Sequence, residues 1–159
     1  MRRAVITLLI VCILLSFTGC TPPEEPSCTF YYLRTSETIR HGSPDALVAP
    51  VTMDIATPNA ELDYLLQLYL DGPTGANYVN PIPRGTYLLS TLWEDDTLVV
   101  VLSREFSQLD HIRLTLAQCC LAATCHTLTG AESIRIHSGE ETYEFTINDC
   151  IFLDDSTGE

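Results

Sequence analysis

The apolar positions of this chain form one unbroken block, a set of short β-leaning runs and two stretches with helical spacing. The block comes first and covers Ala4 to Phe17 with little interruption. Thr29-Phe30-Tyr31-Tyr32-Leu33 is rich in aromatics and predicts a strand. Arg34 to Pro44 is polar, contains His41-Gly42-Ser43-Pro44 and reads as a loop. Leu47 to Ile55 is again β-leaning, and Pro50 within it points to an edge position or a bulge. Leu62, Leu65, Leu66 and Tyr69 then recur at helical spacing. Thr57 is a candidate cap, Pro58 suits a first turn, and Glu61 and Asp63 suit the positive end of the helix dipole. Asp71-Gly72-Pro73 stops it, so the pattern predicts a helix over Pro58–Leu70.

The polar segment Thr74 to Asn80 reads as a loop, and Pro81-Ile82-Pro83-Arg84-Gly85 as a turn into a strand over Thr86 to Trp93. Glu94-Asp95-Asp96 turns the chain back into Thr97–Leu102, giving a hairpin with an acidic tip. A second helix is predicted over Asp110–Thr127, with Asp110 as cap, Ile112, Leu116, Cys120 and Ala123 along one face, and Gly130 ending the segment. Its small apolar residues suggest a helix buried across a sheet. Ser133–His137 and Thr142–Ile147 predict a second hairpin, and Cys150–Leu153 a last short strand. The order β-β-α-β-β-α-β-β implies an α+β fold: a mixed, largely hairpin-linked sheet with two helices packed on one face. The expected core includes Leu65, Leu66, Tyr69, Val99, Val101, Leu116 and Cys120.

The opening block has the order of a secretion signal: Arg2 and Arg3, the apolar run, then the small residues Thr18 and Gly19 before Cys20. The Gly19-Cys20 junction resembles the bacterial lipobox, in which the cysteine thiol receives diacylglycerol and the signal is removed. An uncleaved anchor is the alternative, and the run is short for a span of about 20 residues. Residues 1–19 are thus expected to be a lipoprotein signal peptide, and 20–27, with Thr-Pro-Pro-Glu-Glu-Pro-Ser after Cys20, a lipid-anchored tether. Residues 28–153 form the domain and 154–159 an acidic tail. The expected location is the extracytoplasmic face of the cell membrane, held by the lipid on Cys20.

Charge narrows the partners. All 21 acidic residues follow Cys20, against six arginines and no lysine, leaving a formal charge of −15 on that part. Nucleic acid is excluded, because binding there depends on cations that neutralise phosphates. Five cysteines remain after the signal and anchor: Cys28, Cys119, Cys120, Cys125 and Cys150. The three on the second helix point about 100–140° apart in pairs, so none shares a face. They are read as free, structural thiols. A Cys28–Cys150 bond is left open, since both flank strands.

No residue constellation points to catalysis. Ser103, Asp110 and His111 are the residue types of a triad, but each has an ordinary structural reading. His41, His111, His126 and His137 are scattered without metal-ligand spacing. Adjacent Cys125 and His126 diverge on a helix, and the paired acids Asp95-Asp96 and Glu140-Glu141 sit in turns. No cofactor-binding loop is present. The expectation is a protein that is not an enzyme and needs no cofactor.

Several pieces resemble, in order, the sporulation and spore-germination GerM-type domain, GerMN. These are Leu70-Asp71-Gly72-Pro73 at the helix end and Ile82-Pro83-Arg84-Gly85-Thr86 before a strand. Leu102-Ser103-Arg104-Glu105-Phe106 closes the hairpin, Thr127-Leu128-Thr129 ends the second helix, and Ile134-Arg135-Ile136 follows as a strand. The resemblance covers Tyr64 to Ile136 and implies a fold similar to ring-building motifs. It also implies an exported, membrane-anchored, non-enzymatic interaction or assembly module linked to sporulation, germination or the cell envelope. Its partner would be another envelope protein. The alternative is an accessory lipoprotein that binds a cell-wall or small-molecule ligand.

Overall fold

The computed structural model describes residues 26–35, 47–57 and 59–150. The signal, Cys20, most of the tether, the greater part of the Arg34–Pro44 loop, Pro58, residues 151–153 of the last expected strand and the acidic tail lie outside the described residues. Seven strands and two helices follow in the order β1 (Ser27–Arg34), β2 (Val48–Asp54), α1 (Leu62–Asp71), β3 (Tyr78–Val79), β4 (Leu88–Glu94), β5 (Thr97–Leu102), α2 (His111–Thr129), β6 (Ser133–Ser138) and β7 (Glu141–Thr146). The class is α+β. The strands divide into two sheets, β2-β1-β3 and β4-β5-β6-β7, where the sequence suggested one. All pairs are antiparallel except β5 with β6, which α2 connects as a crossover.

Direct cross-strand pairing gives the four-stranded sheet two unlike faces. One row runs Thr91, Val100, Ile136, Tyr143 and looks into the core. The next runs Leu92, Val99, Arg135, Glu144 and carries charge. Arg135 pairs there with both Glu94 and Glu144. Val99 is nevertheless only 1% exposed. Its direct cross-strand neighbours are Leu92 and Arg135, and the apolar stem of an arginine can cover such a position.

The core joins both sheets and both helices. Phe30, Tyr32 and Tyr69 form an aromatic group, with Tyr32 and Tyr69 stacked at 5.1 Å between ring centroids. The Tyr32 hydroxyl donates to the Tyr69 carbonyl at 3.1 Å, which satisfies a polar atom that burial would otherwise strand. Residues Cys120 to Cys125 of α2 are all buried, so that this part of the helix is enclosed on every side.

Five sequence expectations need correction. Helix α1 starts at Leu62 with Glu61 at the N-cap, not at Pro58 with Thr57 as cap. Asn59 is the reason: its φ of 60° is left-handed and cannot continue into a right-handed helix. Within the Thr74–Asn80 loop, Tyr78 and Val79 form β3 because Arg34 and Leu33 pair with them. Strand β4 begins at Leu88, two residues late, because Thr86 closes a turn onto Pro83 at 3.2 Å through Gly85 at φ 87°. Cys150 follows a 3-10 turn over Ile147–Asp149 instead of starting a strand.

The fifth correction concerns the core. Leu65, Leu66, Tyr69, Val99 and Cys120 are buried, but Leu116 and Val101 are half-buried and Ile112 is 76% exposed. On α2 the buried side is built from Ala117, Cys120, Leu121 and Thr124, whose small members admit β1. Val101 pairs with His137 on the outward face of the sheet.

Candidate functional site

The residues quoted from the family pattern are placed at turns and caps. Asp71 ends α1 and accepts a hydrogen bond from Gln67 at 3.2 Å. Gly72 caps the helix at φ 96°, a conformation glycine adopts without a Cβ penalty, and its N–H reaches the Tyr69 carbonyl at 3.1 Å. Pro73 follows. Asn80, which the sequence did not single out, finishes this end. Its amide donates to the Tyr69 and Leu70 carbonyls at 3.0 and 3.2 Å, and its carbonyl oxygen accepts Ile82 N–H at 3.0 Å. Pro83, Gly85 and Thr86 form the adjoining turn. A hollow of about 230 Å³ brings Asp71, Gly72 and Pro73 together with Asn80 and Arg84.

The second motif group locks strand ends together. Ser103 N–H donates to the Tyr87 carbonyl at 2.9 Å, and its Oγ accepts Tyr87 N–H at 2.9 Å. Its carbonyl accepts the Ser138 hydroxyl at 2.8 Å, and Ser138 Oγ accepts Ser107 N–H at 3.1 Å. The Ser103 side chain is also the main cause that holds the half-buried Glu105 carboxyl below its ordinary range. Phe106 is fully buried and meets Tyr143 edge-on at 5.9 Å. At the end of α2, Thr127 is exposed, Leu128 packs on the core, and Thr129 donates to the Cys125 carbonyl at 2.8 Å.

The catalytic candidates do not come together. Ser103 is engaged with Tyr87 and Glu105, while Asp110 and His111 share a shallow depression with Ile112 and Arg113 at the start of α2. Cys125 is buried and burial pushes its thiol up, whereas His126 Nδ1 lies 3.0 Å from the Ala131 carbonyl. Among the described residues no group of three His, Cys, Asp or Glu is placed to hold a metal. No helix among them is long and apolar enough to cross a membrane.

Two surfaces remain. The first is a groove of about 380 Å³ between the β3–β4 connection and the first turns of α2, walled by Leu33, Ile82, Leu109 and Leu116 with Asn80 and Arg113 as polar members. The second is the outer edge of the four-stranded sheet. Among the described strands β4 pairs only with β5, and its Leu88 N–H donates to the Gln67 side chain of α1 at 3.4 Å. Tyr87 and Leu89 are 61% and 64% exposed at its start, and Leu92 and Trp93 are 42% and 51% exposed near its end. Tyr64 of α1 is exposed as well, and α1 adjoins this strand through an Asp63–Thr91 hydrogen bond. Five of the eight exposed large apolar side chains among the described residues therefore collect on one edge, next to the acidic tip Glu94-Asp95-Asp96. The sequence signal for this was the failure of β4 to alternate: Leu88, Leu89, Leu92 and Trp93 are apolar toward both faces.

A solved structure of the tandem GerMN domains of the sporulation protein GerM from Bacillus subtilis is similar to this chain with a TM-score of 0.56. Identity is 13%, so the likeness is one of fold; it covers 78% of this chain and 43% of that structure. The chain thus spans less than half of the tandem protein. A crystal structure of a Clostridium perfringens protein provisionally assigned as a lipoprotein is 20% identical, covering 79% of this chain and 89% of that one, with a TM-score of 0.39. No curated protein sequence matches the chain at a significant level. The model of the family Germane, described as sporulation and spore germination, matches residues 29–144, most of the chain and nearly all of the described fold, and the chain therefore belongs to that family.

Proposed function

We propose that this GerM-like module is non-enzymatic, is held at the outer face of the cell membrane by lipid on Cys20, and binds another envelope protein through the β4 edge. The observation that carries this reading is the apolar strip of Tyr64, Tyr87, Leu89, Leu92 and Trp93 along a strand that pairs with one other described strand only. Large apolar side chains clustered on an open strand edge are what a docking partner covers, and natural proteins usually blunt such edges. The adjoining acidic tip and the charge of −15 on the part after Cys20 favour a partner whose contact surface is apolar with a basic rim. Tethering to a thin layer raises the effective concentration of a partner in that layer, so a modest interface suffices.

The reading as an accessory ligand-binding lipoprotein has one observation in its favour, the groove beside Asn80 and Arg113. Its walls are mainly apolar and it has few convergent polar groups, which suits a small-molecule site less well. The two readings separate in intact cells carrying the full chain. Crosslinking should capture an envelope protein, and Leu89→Asp with Trp93→Ala should abolish that capture while the circular dichroism spectrum is unchanged. Capture that survives those changes and is lost on Arg113→Ala would favour the groove instead.

A further inference from the structure

After β7 the chain turns onto α2. Ile147 N–H donates to the Glu132 carbonyl at 2.9 Å, just past the C-terminal end of that helix. The 3-10 turn Ile147–Asp149 then packs on α2. Asp149 fixes it, because its Oδ2 accepts the Thr146 N–H and hydroxyl at 2.8 and 3.0 Å. Cys150, a free thiol like the other four described cysteines, is 6% exposed and belongs to the core. The chain beyond it therefore leaves from a fixed point against the helix.

The next residues are Ile151-Phe152-Leu153-Asp154-Asp155, three large apolar side chains and then two carboxylates. The groove between the β3–β4 connection and the first turns of α2 offers the same two chemistries. Leu33, Ile82, Leu109 and Leu116 wall about 380 Å³, and Arg113 stands beside them. Arg113 is exposed and has no acidic partner among the described residues. Arg113 and Leu116 are three residues apart, so they share one side of α2.

The reach matches as well. From Thr129 at the end of α2 back to Arg113 is sixteen residues, a distance of about 24 Å along a helix axis. From Ile147 onward, a 3-10 turn advances about 2 Å per residue and an extended chain about 3.3 Å. Leu153 then arrives about 16 Å along that path and Asp155 about 23 Å along it. The apolar residues end beside Leu116 and the carboxylates fall at Arg113.

We propose that Ile151–Leu153 seats in this groove, antiparallel to α2, with Asp154 or Asp155 paired to Arg113. The occupant is the chain's own segment rather than a second copy. A second copy would bring the same charge of −15 on the part after Cys20 against an acidic surface. A segment already attached at Cys150 competes at high effective concentration. Seated there, it straps α2 to the β3–β4 connection, and any ligand of the groove must first displace it.

The test takes the purified full chain with Phe152→p-benzoylphenylalanine, a photo-crosslinking side chain. Illumination and tryptic mapping of the monomer should join peptide 136–159 to peptide 41–84, 105–113 or 114–135, with the link at Ile82, Leu109 or Leu116 or an immediate neighbour. Arg113→Glu alters an exposed side chain and should lower the yield of that link by about two- to fivefold. Adding Asp154→Arg and Asp155→Arg to that variant should restore it. A link outside the groove, a link to a second copy or to another protein, or no link at all would overturn the proposal. A yield indifferent to Arg113→Glu would also overturn it. Circular dichroism checks that each variant folds, and Leu153→p-benzoylphenylalanine repeats the map if the Phe152 variant does not.

Discussion

The side-chain oxygen of Thr124 accepts the backbone N–H of Tyr31 at 2.9 Å, so a residue of α2 serves the side of β1 that β2 does not pair. Thr124 is fully buried, and small neighbours along α2 permit the approach. Thr124→Val keeps the shape and removes the acceptor. It should cost about 1–3 kcal/mol, the range for leaving a buried donor without its partner. Thr124→Ser should retain most of the stability. Urea denaturation of the two variants checks this, and equal midpoints would remove the hydrogen bond from the account.

Leu66 lies at the centre of the core, 1% exposed. Leu66→Ala should cost about 2–5 kcal/mol through lost burial and a cavity. Leu66→Asp should abolish folding, because an unpaired buried charge adds several kcal/mol more. Normal melting of the aspartate variant would show that this face of α1 does not carry the core.

On the open sheet face, Arg135 has two roles that can be separated. Its guanidinium bridges Glu94 and Glu144, and its stem stands beside Val99, its cross-strand partner. If the stem matters more, Arg135→Met should melt close to the unaltered chain and Arg135→Ala well below it. Exposed ion pairs are weak and screened by salt, so added salt should narrow any gap between arginine and methionine.

Cys119 should be the first thiol to react with iodoacetamide, because the Cys150 thiol draws it down to about 7. A thiol lowered to about 7 is about half thiolate at that pH, against on the order of one per cent for an ordinary thiol at 9.0. The sign follows: the reactive form is present above about pH 7 and is lost as pH falls through it. Cys150→Ser weakens the cause of the shift, so the reaction midpoint should move upward. Mass mapping of alkylation against pH measures both, and equal rates at Cys119 and Cys125 would refute the lowered thiol.

Cys20→Ala should release the chain from the membrane fraction without altering its melting temperature, and crosslinking to the envelope partner should fall. Retention in the membrane fraction would refute anchoring through Cys20.

Much of this was legible in the sequence because it is written locally. Gly130 at φ 77° ends α2 where its position indicated, and Thr97–Leu102 forms β5 as its branched residues required. Asp110 stands at the N-cap of α2, although its side chain makes no capping bond. What stayed hidden depends on distant partners. Tyr78 and Val79 become a strand only through Arg34 and Leu33, and nothing in a polar loop announces that. Ile112 was placed on one face with Leu116, Cys120 and Ala123, but apolar residues recur on more than one side of α2, so periodicity could not choose the face. Family-pattern residues such as Gly72 and Ser103 were readable as caps and strand ends. The β4 edge showed only as a failure to alternate over Leu88-Leu89 and Leu92-Trp93, since exposed apolar residues and buried ones look alike until the neighbouring strand is known.

The Tyr31–Thr124 contact also sets a schedule. The two residues are 93 positions apart, a separation that takes a ribosome roughly 5–20 s to traverse. Through that interval β1 gains β2 first and then α1 and β3, but not the helix that seats its other side. Two paired strands alone are barely stable in water. The aromatic stretch Phe30-Tyr31-Tyr32 is therefore made early and housed late, and a newborn chain must be kept from sticking until its second helix arrives.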